Sequence, residues 1–154
     1  MLSTEERNEI ESHLPHYPQK NAACIDALKI VQRSRGWLSD EAIEDLAEFF
    51  KMDPSELDSV ATFYNLLFRR PVGRHVILAC DSVSCWIMGS EKVRRCIING
   101  IGIDFGETSK DNRFTLLPVP CLGACEKAPA LLIDNDLQGN VGPENINEIL
   151  QRYK

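Results

Sequence analysis

The chain has 154 residues with a formal net charge of −6 at pH 7, and 44% of its residues are hydrophobic. That is enough apolar material for one ordinary domain or two small ones, and the acidic balance excludes the basic surface that nucleic-acid binding requires. The polar, acidic start of the chain is unlike a targeting segment and no apolar run approaches a membrane span, so we expect a soluble protein without direct membrane contact.

Residues 1–70 predict a small helical bundle. Ser3 and Glu6 have the spacing of a capping box, in which each side chain accepts a hydrogen bond from a free backbone N–H at the start of a helix. A second helix is predicted over about 19–35 and ends at Gly36. Two more helices are predicted to begin near Asp40 and at Asp53-Pro54, each followed by apolar residues at helical spacing.

Residues 71–154 predict an open sheet covered by helices. The mostly apolar run His75–Ala79 leads directly to Cys80 and is typical of a buried strand. The remaining elements are predicted in the following order: a helix at 90–99, strands at 114–119, 130–133 and, more weakly, 137–141, and a last helix that starts at Pro143. Helices followed by a layered α/β region place the chain in the α+β class.

Four of the six cysteines form two close pairs, Cys80-x₄-Cys85 and Cys121-x₃-Cys125. A cytosolic chain keeps its thiols reduced, which favours metal binding or redox chemistry over a structural disulfide. Cys80 closes a predicted strand and Cys85 ends the predicted loop 81–84. The second pair directly follows the strand that ends at Val119, so both pairs are expected in loops that turn toward a common point.

Four thiolates in two pairs match the demand of a [2Fe–2S] cluster, which takes two thiolates on each iron. This pattern favours electron transfer as the function. Three alternatives stay open at this point. Structural zinc also takes four thiolates, but its usual pairs are the closer CxxC type. A redox dithiol requires a CxxC that this chain lacks, and four ordinary buried thiols are the third alternative.

The other candidate residues are given structural interpretations. Cys24 and Cys96 lie on apolar faces of predicted helices and are expected in the core. Trp37 and Trp86 are interpreted as packing residues, although Trp86, next to Cys85, could shield a cluster from water. The three histidines form no cluster, and no Walker motif, nucleophile elbow or zinc-protease motif is present. No catalysis is therefore expected from this chain alone.

The cysteine pattern, with Cys121-Leu122-Gly123-x-Cys125 as its second half, resembles the small [2Fe–2S] subunits of respiratory NADH:quinone oxidoreductase, or complex I. The resemblance covers almost the whole chain, including its helical start. It is also carried by these segments: Arg35-Gly36-Trp37, Val60-Ala61-Thr62-Phe63-Tyr64, Gly106-Glu107-Thr108, Arg113-Phe114-Thr115-Leu116 and Arg152-Tyr153-Lys154.

This resemblance implies a helical bundle over residues 1–70 and a thioredoxin-like [2Fe–2S] ferredoxin domain over residues 71–154. It implies that Cys80, Cys85, Cys121 and Cys125 are the cluster ligands. One departure from the family is Asn112, which stands where glycine is common and is expected to stiffen that turn.

The resemblance also implies two partners, the flavin- and NADH-binding subunit and the large iron–sulfur subunit of complex I. Through them the chain is expected at the cytoplasmic face of a bacterial inner membrane. The same module in an NAD-linked hydrogenase or formate dehydrogenase is the nearest alternative, because those enzymes use similar subunits.

Overall fold

The computed structural model describes all residues from Met1 to Lys154. The chain divides into two compact units, Met1–Pro71 and Val72–Lys154. The first unit contains four helices: α1 (Thr4–His13), α2 (Cys24–Arg35), α3 (Asp40–Phe50) and α4 (Pro54–Phe63). No helix in either unit is both long enough and apolar enough to span a membrane.

Local capping fixes the helix ends of the first unit. The Ser3 N–H donates to Glu6 Oε2 at 2.8 Å and the Glu6 N–H donates to Ser3 Oγ at 3.1 Å, so the predicted capping box is confirmed. Asp53 accepts from the Ser55 N–H at 2.8 Å, with proline at the first position of α4. α2 ends at Gly36, whose φ of 84° lies in the left-handed region that favours glycine.

A partly buried network of three charged side chains connects three helices of the first unit. Glu6 on α1 is only 4% exposed, and its carboxylate accepts two hydrogen bonds of 2.8 Å from the Arg35 guanidinium at the end of α2. Arg35 also donates to Asp45 on α3 at 3.2 Å. The Arg35 hydrogen bonds hold the pKa of Glu6 at about 2, against the opposing effect of burial. Apolar side chains from all four helices pack around Leu28, 0% exposed.

The second unit is a five-stranded sheet in the order β2-β3-β1-β4-β5. Its elements are β1 (His75–Cys80), α5 (Val83–Ile87), α6 (Ser90–Ile101), β2 (Glu107–Thr108), β3 (Phe114–Val119), β4 (Leu131–Ile133), β5 (Asp136–Gln138) and α7 (Ile146–Gln151). The central strand β1 pairs in parallel with β3 and antiparallel with β4. Val93 and Ile97 of α6 and Ile146 of α7 pack with the apolar side chains of β1, β3 and β4 in one core.

Several sequence predictions differ from the structure in this unit. β2, a two-residue strand, was not predicted, and α5 occupies a segment predicted in part as a loop. α6 runs two residues further than predicted, and α7 begins at Ile146 rather than at Pro143. Asn112 has a φ of 53°, in the left-handed region, so this turn has the backbone conformation that glycine adopts most easily.

Arg113 anchors the last helix to the sheet. Its guanidinium donates to the Leu150 carbonyl at 3.0 Å and to the Tyr153 carbonyl at 2.6 Å, where α7 ends. The Leu150 carbonyl also accepts from the Tyr153 N–H at 3.3 Å, and a cation at this end of the helix interacts favourably with the helix dipole.

We expect Arg113→Ala to lower the opening free energy of α7 by about 1–2 kcal/mol, because two charge-assisted hydrogen bonds are lost. Hydrogen–deuterium exchange of the α7 amides should then accelerate by roughly 5–30-fold. Arg152→Ala is the control, since Arg152 makes only an exposed pair with Glu148, at 2.8 Å, and should change exchange little. Equal exchange in Arg113→Ala and the wild type would contradict the anchoring role.

Candidate metal centre

The two cysteine pairs begin at the same edge of the sheet. Cys80 is the last residue of β1, and in the parallel pairing of β1 with β3 it lies opposite Val119, the last residue of β3. The Asp81 N–H donates to the Val119 carbonyl at 2.9 Å, which extends this pairing just past the strands. Cys121 follows Val119 by two residues. The sheet register thus brings the starts of both cysteine segments together.

The second cysteine of each pair lies on a short turn of helix. Cys85 is on α5, which corrects the prediction that it ends a loop; the Trp86 N–H donates to the Ser82 carbonyl at 2.9 Å in its first turn. Cys125 begins a 3₁₀ turn that ends at Lys127. Each pair therefore consists of one cysteine at or just past a strand end and one on the helical turn that follows.

The buried part of this centre is lined by small residues. Cys80 is 5% exposed and Cys85 is 2% exposed, and both pack in a separate cluster with Ala124, Ala128 and Ala130. Cys121 and Cys125 are exposed. Alanine side chains leave the sulfur atoms room and allow backbone N–H groups to approach them, as cluster sites require.

Backbone amides and neighbouring thiols surround the Cys80 sulfur. Burial by itself raises the pKa of the Cys80 thiol. Hydrogen bonds from the Leu122 and Ser82 amides, together with those from the Cys85 and Cys121 thiols, outweigh burial, so the pKa lies below its ordinary value. Cys80 is thus set up to ionise and to act as a thiolate donor.

The pKa of the Cys85 thiol is shifted in the opposite direction, upward. Burial raises the pKa of its thiol, a hydrogen bond from the Ala130 amide lowers it, and the neighbouring Cys80 raises it again, so that the net direction is upward. Cys125 also lies near enough to raise the Cys85 pKa by charge repulsion. Cys85 therefore interacts with both Cys80 and Cys125, and two thiolates in so close a space favour a cation or a cationic cluster between them.

The turn after Cys121 places a backbone N–H group against the sulfur of that cysteine. The Gly123 N–H donates to Cys121 Sγ at 3.3 Å, and Gly123 has a φ of 70°, in the left-handed region. Glycine adopts this conformation without the steric penalty that a side chain brings. Gly123 therefore allows the tight loop between the two cysteines.

The donor set fits a [2Fe–2S] cluster. All four cysteines are free thiols rather than disulfides. No group of three or more histidine, cysteine, aspartate or glutamate side chains converges closely enough to hold a single metal ion. A two-iron cluster binds four thiolates on two metal atoms, and its sulfurs accept amide hydrogen bonds of the kind that Gly123 donates to Cys121.

The remaining cysteines and the histidines lie elsewhere. Cys24 is 8% exposed in the core of the first unit, as predicted, and burial raises the pKa of its thiol. Cys96 is half-buried against the core of the second unit. His13 contacts Asp26 at 3.3 Å, and His75 contacts Asp134 at 2.7 Å. None of these side chains belongs to the cysteine cluster.

The packing interpretation of Trp86 is wrong. Its side chain is exposed to solvent, as are those of Val83, Ile87 and Met88 in the same segment. Trp37 is half-buried. The sequence held a signal for this surface that the prediction missed, since 82–90 contains no charged residue although it lies outside the core.

Comparisons with known proteins identify the family of the chain. The family model for the thioredoxin-like [2Fe-2S] ferredoxin matches residues 10–154. The E subunit of NADH-quinone oxidoreductase from Pseudomonas aeruginosa is 50% identical over 153 residues, which are 99% of this chain and 92% of that protein. The protein of the same name from Escherichia coli strain K12 is 48% identical, with the same shares of both chains covered.

Among solved structures, the NAD+-reducing [NiFe]-hydrogenase in its air-oxidized state superimposes with a TM-score of 0.71 at 24% identity. The match covers 82% of this chain and 22% of the hydrogenase chain, and it supports the fold alone. The family model and the full-length relatives carry the assignment further. The chain belongs to the thioredoxin-like [2Fe–2S] ferredoxins, within the family of the NADH-quinone oxidoreductase E subunits.

Proposed function

We propose that this chain is the electron-transfer subunit of an NADH-quinone oxidoreductase. The observation that carries the proposal is the match to two E subunits of that enzyme at 50% and 48% identity, each over 99% of this chain. A relationship of that length covers the helical unit as well as the cysteine-bearing unit. It therefore supports a role for the whole chain in the same assembly, rather than for an isolated ferredoxin module.

Cys80, Cys85, Cys121 and Cys125 are proposed as the four ligands of the cluster. When bound, a [2Fe–2S] cluster accepts and donates one electron at a time. The protein contributes the thiolates, and the Gly123 amide donates to the Cys121 sulfur. Because such a hydrogen bond stabilises negative charge on sulfur, this amide favours the state that carries the extra electron. Burial of Cys80 and Cys85 keeps water from one side of the site.

The chain is proposed to act only within a complex. Its partners are a flavin- and NADH-binding subunit, with which it exchanges electrons, and a large iron–sulfur subunit nearby. The hydride chemistry is assigned to the flavin-carrying partner, which converts a two-electron donor into single electrons. The complex is proposed to sit at the cytoplasmic face of a bacterial inner membrane, with this chain reaching the membrane only through its partners.

A subunit of an NAD-linked hydrogenase is the alternative, because such enzymes use similar subunits, and one of them matches the fold of this chain. That match is 24% identical, whereas the relatives from NADH-quinone oxidoreductase are 48–50% identical over nearly their full length. The closer sequence relationship favours the quinone-linked enzyme. Co-purification from the source organism separates the two, because only a hydrogenase complex contains nickel.

Metal analysis of the protein purified without air tests the cofactor. We expect a brown protein that contains iron and acid-labile sulfide in equal amounts and that gives a spin-half electron paramagnetic resonance signal after reduction. The reason is that four thiols in two pairs provide a complete ligand set for one [2Fe–2S] cluster. A colourless protein that contains stoichiometric zinc would contradict both the cofactor and the electron-transfer function.

A further inference from the structure

We propose that the outer face of α5 is the surface on which the flavin-carrying partner docks. Four side chains make up this surface, which we name the α5 patch: Val83 (66% exposed), Trp86 (62%), Ile87 (70%) and Met88 (61%). They are nearly consecutive in sequence and all are apolar. The inference rests on the proposed function, because it identifies a surface for a partner that the function requires.

The α5 patch is held in a defined position beside the cysteines. Cys85 lies on the same short helix and is 2% exposed, so its side chain points into the protein while its neighbours point outward. The backbone is ordered by helical hydrogen bonds, from the Trp86 N–H to the Ser82 carbonyl at 2.9 Å and from the Met88 N–H to the Ser84 carbonyl at 3.1 Å. The patch is thus preorganised, which reduces the entropy lost on binding.

The composition around the α5 patch sets it apart from the rest of the second unit. No charged residue occurs from Ser82 to Ser90. Elsewhere in this unit, Leu137 is the only large hydrophobic side chain that is exposed, at 44%. Single exposed apolar residues are ordinary on a protein surface, but a contiguous patch of this kind marks an interaction site.

The size of the α5 patch indicates what covers it. Four such side chains at these exposures present on the order of 500 Å², which is within the range of the largest, often functional patches on monomers. A stable interface buries about 800 Å² per partner, so two copies of this chain that met through the patch alone would fall short. The patch instead has the size and composition of the apolar centre of a larger interface with a polar rim.

Its location indicates which partner. The α5 patch lies one residue away from a buried thiol of the metal centre, and the rate of electron transfer falls steeply with distance. A protein seated on this patch is therefore close to the centre. The partner of the proposed function that must exchange electrons with this chain is the flavin-carrying subunit, and the lack of charge from Ser82 to Ser90 predicts an uncharged, apolar surface on it.

Binding of cluster-loaded variants to the purified flavin-carrying subunit tests the inference. We expect Trp86→Ala and Ile87→Glu each to raise the dissociation constant by about thirtyfold or more, as changes at the centre of an interface do. Leu137→Glu is the matched control in the same unit and should stay within about threefold of the wild type. All three variants should keep the iron content and visible absorption of the wild type, because the substituted side chains are exposed.

The outcomes separate the inference from the function on which it rests. If both Trp86→Ala and Ile87→Glu keep the cluster and bind the flavin-carrying subunit as tightly as the wild type does, the docking surface is overturned and the proposed function stays in place. A cluster-loaded wild-type protein that does not bind the flavin-carrying subunit overturns the partner assignment itself. Self-association of the wild type, or binding to phospholipid vesicles, that is lost in Ile87→Glu would replace the proposed occupant with a second copy or a membrane surface.

Discussion

A Cys121→Ala variant purified without air is expected to lose the brown colour, the acid-labile sulfide and the spin-half signal of the wild type. Each of the two irons requires two protein thiolates, so the three that remain cannot complete the coordination of both, and alanine offers no replacement donor. Loss of a residue that only hydrogen-bonds to a metal ligand lowers metal affinity by about 10–100-fold, so loss of a ligand itself should lower cluster occupancy at least as much. Iron and sulfide per chain measure this directly, and Cys80→Ala, Cys85→Ala and Cys125→Ala should behave alike.

Two cysteines outside the centre provide matched controls. Cys24 is buried in the first unit and Cys96 is half-buried on α6, so each alanine variant changes a thiol without touching the cysteine cluster. Both variants should retain wild-type iron, sulfide and absorption. A normal cluster content in Cys121→Ala would overturn the ligand assignment, and so would loss of the cluster in Cys96→Ala with the fold intact.

The second large effect is expected from Arg35→Ala, which should destabilise the helical unit by roughly 3–5 kcal/mol. The substitution leaves the Glu6 carboxylate, 4% exposed, without the guanidinium that gives it two hydrogen bonds. Chemical denaturation of the full chain, followed by helical circular dichroism, measures the change. Arg33→Ala is the control, because Arg33 pairs with Glu9 at the surface and such pairs contribute about 0–1 kcal/mol.

The destabilisation by Arg35→Ala should also depend on pH. The pKa of Glu6 falls from its ordinary 4.5 to about 2 when the protein is folded with Arg35 in place. The stability from this pair is therefore fully present above pH 4.5 and is lost as the pH falls toward 2. The difference between the wild type and Arg35→Ala should shrink over that interval. A difference that stays constant from about pH 7 to about pH 3 would show that Arg35 acts only by packing.

Features that depend on local sequence could be predicted well. Ser3 with Glu6, Asp53 with Pro54, and Gly36 each satisfy backbone groups within one turn of their own position, and the helices begin or end there. The β-rich apolar run that ends at Cys80 likewise forms a strand with nearly the predicted bounds. Such signals lie within a few residues, so the sequence alone contains them.

Features that depend on distant parts of the chain could not be predicted from the sequence. β2 consists of two residues that form a strand only because they pair with Thr115 and Leu116 of β3. α5 has five residues, too few for a helical period to be recognised. The exposure of Trp86 was missed because an aromatic residue by itself looks the same in sequence whether it lies in the core or at an interface, and only the uncharged segment 82–90 around it indicated a surface. For the metal centre, the sequence indicated the four cysteines, whereas the parallel pairing of β1 with β3 that brings them together is non-local.

That parallel pairing also identifies what brings the two cysteine segments together. Backbone hydrogen bonds, from the ladder that sets Cys80 opposite Val119 to the bond between Asp81 and Val119, hold the two strand ends together independently of any metal. Formation of the sheet therefore already includes the entropic cost of closing the long chain segment between the two cysteine pairs. A cluster that binds there meets two ligand segments whose starts the sheet already holds side by side, so its binding energy is not needed to close the chain between them.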